Sequence, residues 1–259
     1  MVPSPAFTPP ARPRRRGESP GPGRDDVSPT TRLAWLFDVD GTLLLTEGAA
    51  REAFACAVRD HFGVADDLKD ISFAGRIEPL ILADILRKHR RGLTHEEEAR
   101  FWHLVFGHMR RLLAPGRGRM MDGVTELLDA IAAEPGWVSG LLTGNMTQMA
   151  RIKLGHFGLG ERFAFGGYGE RAADRDALAR TLVRRLGRDY GVPPWRCIVV
   201  GDTVHDVACA RAAGARVIAV ATGGTSMAEL ARSEPDLLLE DLTDAAAVVA
   251  FGRGVAAGE

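Results

Sequence analysis

Apolar residues fall along the chain in two alternating patterns. Short apolar runs, rich in branched and aromatic side chains, occur at Leu33-Ala34-Trp35-Leu36-Phe37, Trp137-Val138-Ser139-Gly140-Leu141-Leu142 and Cys197-Ile198-Val199-Val200. Two more follow at Arg216-Val217-Ile218-Ala219-Val220 and Asp236-Leu237-Leu238-Leu239, with a shorter one at Phe163-Ala164-Phe165. Runs of this kind predict buried strands. Between them the apolar positions recur at helical spacing, as in Val124, Leu127, Leu128 and Ile131, and again from Ala177 to Leu186. Strands alternating with helices predict an α/β fold: a doubly wound parallel sheet, Rossmann-like, with helices on both faces.

One segment interrupts the alternation. Ala50, Phe54, Ala57, Val58, His61 and Phe62 lie at helical spacing up to Gly63, and Pro79 to Leu86 reads as a helix with proline in its first turn. Thr94-His95-Glu96-Glu97 is a capping-box pattern, opening a third helix with Phe101, Trp102, Val105, Phe106, Met109 and Leu112 on one broad face. Pro115-Gly116-Arg117-Gly118 then punctuates the chain. The expected plan is a Pro/Arg-rich disordered tail over 1–31, an α/β core from 32–46 and 115–245, an all-helical insertion over 47–114 and a C-terminal tail over 246–259.

Composition narrows the function. The 259 residues are 46% hydrophobic and 26% charged, ordinary for a globular protein and enough for a large core. A formal net charge of −1 leaves no basic footprint, so no nucleic-acid partner is expected. No apolar run approaches a membrane span, so no membrane partner is expected either. Cys56, Cys197 and Cys209 are odd in number and lack C-x-x-C spacing, which reads as reduced thiols in a cytoplasmic chain. The Arg12, Arg14, Arg15 and Arg16 cluster has no apolar stretch after it, so a secretory signal is not expected.

The candidate chemistry sits where predicted strands end. Asp38 and Asp40 follow the first strand at i and i+2, which puts both carboxylates on one side of extended chain. Two like charges so close call for a cation, and an oxygen-only pair suits Mg²⁺. Thr143-Gly144-Asn145 follows the second major strand, and Asp202-Thr203-Val204-His205-Asp206 the third. In a doubly wound sheet these three ends converge on one crevice. The absence of a Cys/His cluster again favours a hard cation. His205 reads as a helix-start residue rather than a base or ligand, and the Asn145-Met146-Thr147 sequon as incidental in a strand-end loop.

These residues carry a resemblance. Asp38-Val39-Asp40-Gly41-Thr42-Leu43 is similar to the D-x-D-G-T-L signature of the haloacid dehalogenase superfamily, Leu142-Thr143-Gly144-Asn145 resembles its second motif, and Gly201-Asp202 through Asp206 its fourth. The likeness runs from about Arg32 to Leu242, with the helical insertion in the position of that family's cap, and is nearest to phosphoglycolate-phosphatase-like members. It implies a phosphatase acting on a small phosphorylated metabolite, with Asp38 as nucleophile and Asp40 as general acid and base. It implies Mg²⁺ held by Asp38, the Asp40 carbonyl, Asp202 and Asp206. Thr143 would donate a hydrogen bond to the phosphoryl group, with Gly144 and Asn145 shaping the substrate loop. A monomer or homodimer is expected. An acid at position 40 favours ester hydrolysis over dehalogenation, which needs no proton on the leaving halide; a phosphomutase would carry the same motifs, while the complete acid set argues against a non-catalytic binding protein.

Two positions depart from the family pattern. The third motif is usually a Lys, whereas Glu170 to Leu178 contains none; Arg175 falls nearest and is the expected replacement. Lys153 is the competitor, expected otherwise to be a solvated helix residue. Ala74-Gly75-Arg76-Ile77-Glu78 resembles the family's cap loop, which usually reads Gly-Arg-Thr-Asp. Arg76 is a candidate for an acidic group of the substrate, while Ile77 and Glu78 replace the usual pair.

Overall fold

The computed structural model describes residues 33–113 and 115–258; the expected tail over 1–31 lies outside them. Strand β1 (Leu33–Phe37) is followed by a two-residue strand β2 (Leu44–Leu45) and helices α1 (Ala49–Phe62), α2 (Glu78–Lys88) and α3 (His95–Leu112). The chain re-enters through β3 (Arg119–Met120) and continues as α4 (Val124–Ala133), β4 (Trp137–Leu142), α5 (Thr147–His156), β5 (Phe165–Gly167) and α6 (Arg175–Tyr190). It closes with β6 (Cys197–Gly201), α7 (Val204–Ala213), β7 (Arg216–Val220), α8 (Met227–Arg232), β8 (Leu237–Leu239) and α9 (Ala245–Ala257).

Six strands form one sheet in the order β5-β4-β1-β6-β7-β8, every neighbouring pair parallel. The fold is the expected α/β class. Alternating side chains of β1 serve two cores. Leu33, Trp35 and Phe37 pack with α4 and α9, while Ala34 and Leu36 pack with α6 and α7. Both faces are therefore dry, as the unbroken apolar runs required.

The C-terminal stretch, expected as a tail, is helix α9, which covers the sheet. Val248 and Val255 join the core, and a side chain at Gly252 would collide with Trp35 and Trp137. Small residues let this helix approach two indoles closely, and its Ala/Gly-rich composition hides the amphipathic stripe. The pairing of β2 with β3, Leu44 opposite Met120, was also not anticipated; it ties the two chain crossings of the helical insertion.

Helices α1, α2 and α3 enclose a third apolar cluster around Phe54, Ile85, Phe101, Trp102, Val105 and Met109. Phe54 meets Trp102 edge-on at 5.6 Å. The Thr94–Glu97 capping box opens α3 as its sequence predicts. Met149, on α5 of the sheet domain, is fully buried in this same cluster, so the insertion is seated on α5. Among the described residues no helix is long and apolar enough to cross a membrane.

Candidate active site

β1 pairs with β4 on one side and β6 on the other, Phe37 lying opposite both Leu141 and Val200. The residues just past these three strand ends therefore converge at the switch point of the sheet. Asp38 is held by its own N–H, which donates to Val200 O at 2.9 Å. Gly41 turns the chain with φ 85°, and its lack of a side chain leaves room for the Asp202 carboxylate. Gly223 does the same from the end of β7, and Thr42 Oγ1 donates to Asp202 Oδ1 at 3.1 Å.

Asp206 is fully buried in the first turn of α7, where Thr203 N and Oγ1 donate to Oδ2 at 3.0 and 2.6 Å. Its other oxygen accepts from Arg175 Nη2, which also stands 3.2 Å from Asp38 Oδ1. Arg175 opens α6 behind the cap residue Asp174 and is buried. Arg175, the residue nearest the third-motif position, thus bridges Asp38 and Asp206.

Asp40 has a second cation. Lys153 Nζ donates to both Asp40 oxygens at 2.8 and 2.7 Å and to Asn145 Oδ1 at 2.6 Å. Lys153 is 2% exposed, so it is not the solvated helix residue expected. Its signal was present: Met149, Ala150, Lys153 and Leu154 share one helix face, and that face is buried. Asn145 Nδ2 donates to Asp40 Oδ2 at 2.7 Å and to Thr143 Oγ1 at 2.8 Å. Thr143 thereby accepts from Asn145 and keeps its hydroxyl proton for another acceptor.

Glu78, at the start of α2, fastens the insertion to this loop. Its N–H donates to Gly144 O at 2.9 Å, and Met146 N donates to Glu78 Oε2 at 2.7 Å. Gly144 is required because a side chain there would strike the Arg76 carbonyl. Glu78 departs from the family's cap-loop pattern, and a buried acid at a helix start carries little sequence signal. Arg76 lines the cavity, yet its guanidinium pairs with Asp84 instead of standing open to a substrate. His205 is exposed in the first turn of α7 and packs on Gly75, consistent with a helix-start residue.

The HAD-hydrolase-like family model matches residues 176–245. A phosphoglycolate phosphatase of Xylella fastidiosa is 31% identical, the match covering 69% of this chain and 76% of that protein. A 5′-nucleotidase of Pseudomonas aeruginosa is 30% identical over 211 residues, 80% of this chain and 90% of that protein. The chain belongs to the haloacid dehalogenase-like hydrolases. The crystal structure of CbbY from Rhodobacter sphaeroides in complex with phosphate shares the fold, with TM-score 0.66 and 24% identity over 82% of this chain and 95% of that one. The hydrolase is thus an enzyme of the family's phosphatase type.

Electrostatics mark this crevice as short of positive charge. Burial pushes Asp38 up to about 6, against the pull of Arg175 and with Asp206 and Asp40 adding to the rise. Burial, then Asp206 and Asp38, drive Asp202 up to about 8. Arg175 is held well above its ordinary value: burial works against its charge, but Asp206 and Asp38 outweigh it. One oxygen from each of Asp38, Asp202 and Asp206 lies within 4.8 Å of the others. Three buried carboxylates with oxygen donors alone, Asp202 standing between Gly41 and Gly223, fit a hard divalent cation.

Proposed function

We propose that this hydrolase is an Mg²⁺-dependent phosphatase that cleaves a small phosphorylated metabolite through an aspartyl-phosphate on Asp38. The observation that carries the reading is the convergence of Asp38, Asp202 and Asp206 within 4.8 Å, beside the buried Arg175 guanidinium. Asp38, Asp202, Asp206 and the Asp40 carbonyl would hold the ion. When bound, Mg²⁺ supplies positive charge against the phosphoryl oxygens.

The chain's own residues supply the remaining steps. An Asp38 carboxylate oxygen attacks phosphorus, and the bond from phosphorus to the leaving oxygen breaks. Asp40 gives that oxygen a proton. It then takes a proton from the water that cleaves the aspartyl-phosphate, releasing inorganic phosphate and restoring both acids. Thr143 Oγ1 donates to a phosphoryl oxygen, and Arg175 balances charge between Asp38 and the transferring group. Lys153 and Asn145 hold the Asp40 carboxylate in one orientation, which makes them positioning residues.

The helical insertion serves as a cap over a cavity of about 230 Å³, with Ala50, Phe73 and Ile81 on the cap side. Shielding the reaction from bulk water strengthens every charge interaction inside it. The free cysteines, two of them buried, support a reducing, cytoplasmic setting. The test is p-nitrophenyl phosphate hydrolysis by wild type and Asp38→Asn, with Mg²⁺ and with EDTA. Activity that needs Mg²⁺ and is lost in the variant is expected. Activity retained by Asp38→Asn would remove Asp38 as nucleophile, and none in wild type would remove the phosphatase reading.

A further inference from the structure

The cavity is unequal in its two halves. Its floor carries Asp38, Asp40, Thr143 and Asp202, whereas Leu45, Ala50, Phe73, Ala74 and Ile81 face it from the neck and cap. Phe73 is fixed as a wall, with the Arg51 guanidinium 4.6 Å over its ring and Phe54 edge-on at 5.5 Å. Whatever leaves from the phosphoryl group departs towards this apolar half.

Among the described residues, the cations lining the cavity are Arg76, Lys153 and Arg175. Arg175 is committed to Asp38 and Asp206, and Lys153 to Asp40 and Asn145. Arg76 alone sits on the cap. Its Nη1 pairs with Asp84 Oδ2, and Asp84 also accepts from Arg87 at 2.6 Å. Arg76 also lines a second groove together with Asp70, Asp84 and Lys88, where Asp84 competes for its charge. Glu78, buried in the cavity wall, adds a further carboxyl group to the inner side. A second anionic group on a substrate would meet apolar walls and carboxyls with no uncommitted cation.

We infer that the site takes phosphomonoesters of neutral alcohols with an apolar or ring-bearing face, and that Asp84 sets this preference by withholding Arg76. The inference rests on the phosphatase reading. It differs from the expectation that Arg76 receives an acidic substrate group.

The test compares kcat/KM of the full chain with Mg²⁺ for benzyl phosphate and for 2-phosphoglycolate, whose leaving group carries a carboxylate. Wild type should prefer benzyl phosphate by about tenfold or more, the scale of one charge-assisted contact. Asp84→Asn keeps the shape of the side chain and frees Arg76. It should raise kcat/KM for 2-phosphoglycolate by about tenfold, mainly through KM, and leave benzyl phosphate within about twofold. Adding Arg76→Met to Asp84→Asn should abolish the gain. A wild-type preference for 2-phosphoglycolate, or no gain in Asp84→Asn, overturns this inference alone. Failure of wild type on both esters and on p-nitrophenyl phosphate removes the phosphatase reading and this inference with it.

Discussion

Lys153 Nζ stands 2.8 and 2.7 Å from the two carboxylate oxygens of Asp40, a residue 113 positions earlier in the chain. Burying an ammonium is costly unless all its donors are met, and here they are met by Asp40 and Asn145. Helix α5, which carries Lys153, also places Met149 in the cap's apolar cluster. The acid of the proposed reaction is thus aimed by a helix that the cap itself rests on.

Leaving-group dependence follows from this contact. Lys153→Met should lower kcat for an alkyl phosphate by on the order of 100-fold, because its alkoxide must be protonated as it leaves. For 2,4-dinitrophenyl phosphate, whose leaving group needs no proton, the loss should stay below about fivefold. Equal losses on both esters would make Lys153 a structural residue only.

Arg175, proposed to balance charge on the transferring group, also ties two buried acids together. Arg175→Ala strips the cation from Asp38 and Asp206, both nearly inaccessible, and should cost about 3–5 kcal/mol of folding stability. Activity should fall below detection in the same variant, with Arg175→Lys recovering part of each. Urea titration and steady-state rates check the two effects separately.

Asp202 opposes folding when no cation is present. Its carboxyl is driven up to about 8 by burial, then by Asp206 and Asp38, so a charge there near neutral pH is unfavourable. In EDTA, Asp202→Asn should melt higher than wild type by on the order of 3 °C. Added Mg²⁺ should raise the wild-type melting temperature and leave that of Asp202→Asn nearly unmoved.

Glu78 gives the cap clamp a pH dependence. Burial raises its carboxyl from 4.5 to about 7, with Lys153 pulling the other way. A raised folded value means that the unfolded chain releases this proton first as pH rises. The Glu78 contribution is therefore whole below about 4.5 and lost as pH climbs through about 7, on the order of 3 kcal/mol. Glu78→Gln should match wild type near pH 4.5 and exceed its stability at pH 8, as seen by denaturant unfolding at both values.

Much of this arrangement was legible in the chain itself. Asp38, Thr143 and Asp202 each follow an apolar run, and strand order brings run ends together without further information. Arg175 was singled out because it falls nearest the third-motif position of the family pattern, and it lies between Asp38 and Asp206 at the start of α6. The burial of Lys153 was not legible, since a lysine on a helix is normally solvated and its partner lies 113 residues away. The pairing of Arg76 with Asp84 was hidden for a related reason. Asp84 sits on α2, and no motif announces an ion pair that withdraws a charge. Helix α9 escaped notice because glycine at position 252 is a packing requirement of Trp35 and Trp137, which local propensity does not report.

The most direct test of the account is chemical capture of the aspartyl-phosphate. Wild-type protein is mixed with Mg²⁺ and a substrate ester, quenched in acid within one turnover and digested. Mass spectrometry should find one phosphoryl group on the peptide containing Asp38, absent from Asp38→Asn and absent when EDTA replaces Mg²⁺. Phosphate released at full rate with that peptide unmodified, or modified elsewhere, would contradict Asp38 as the nucleophile.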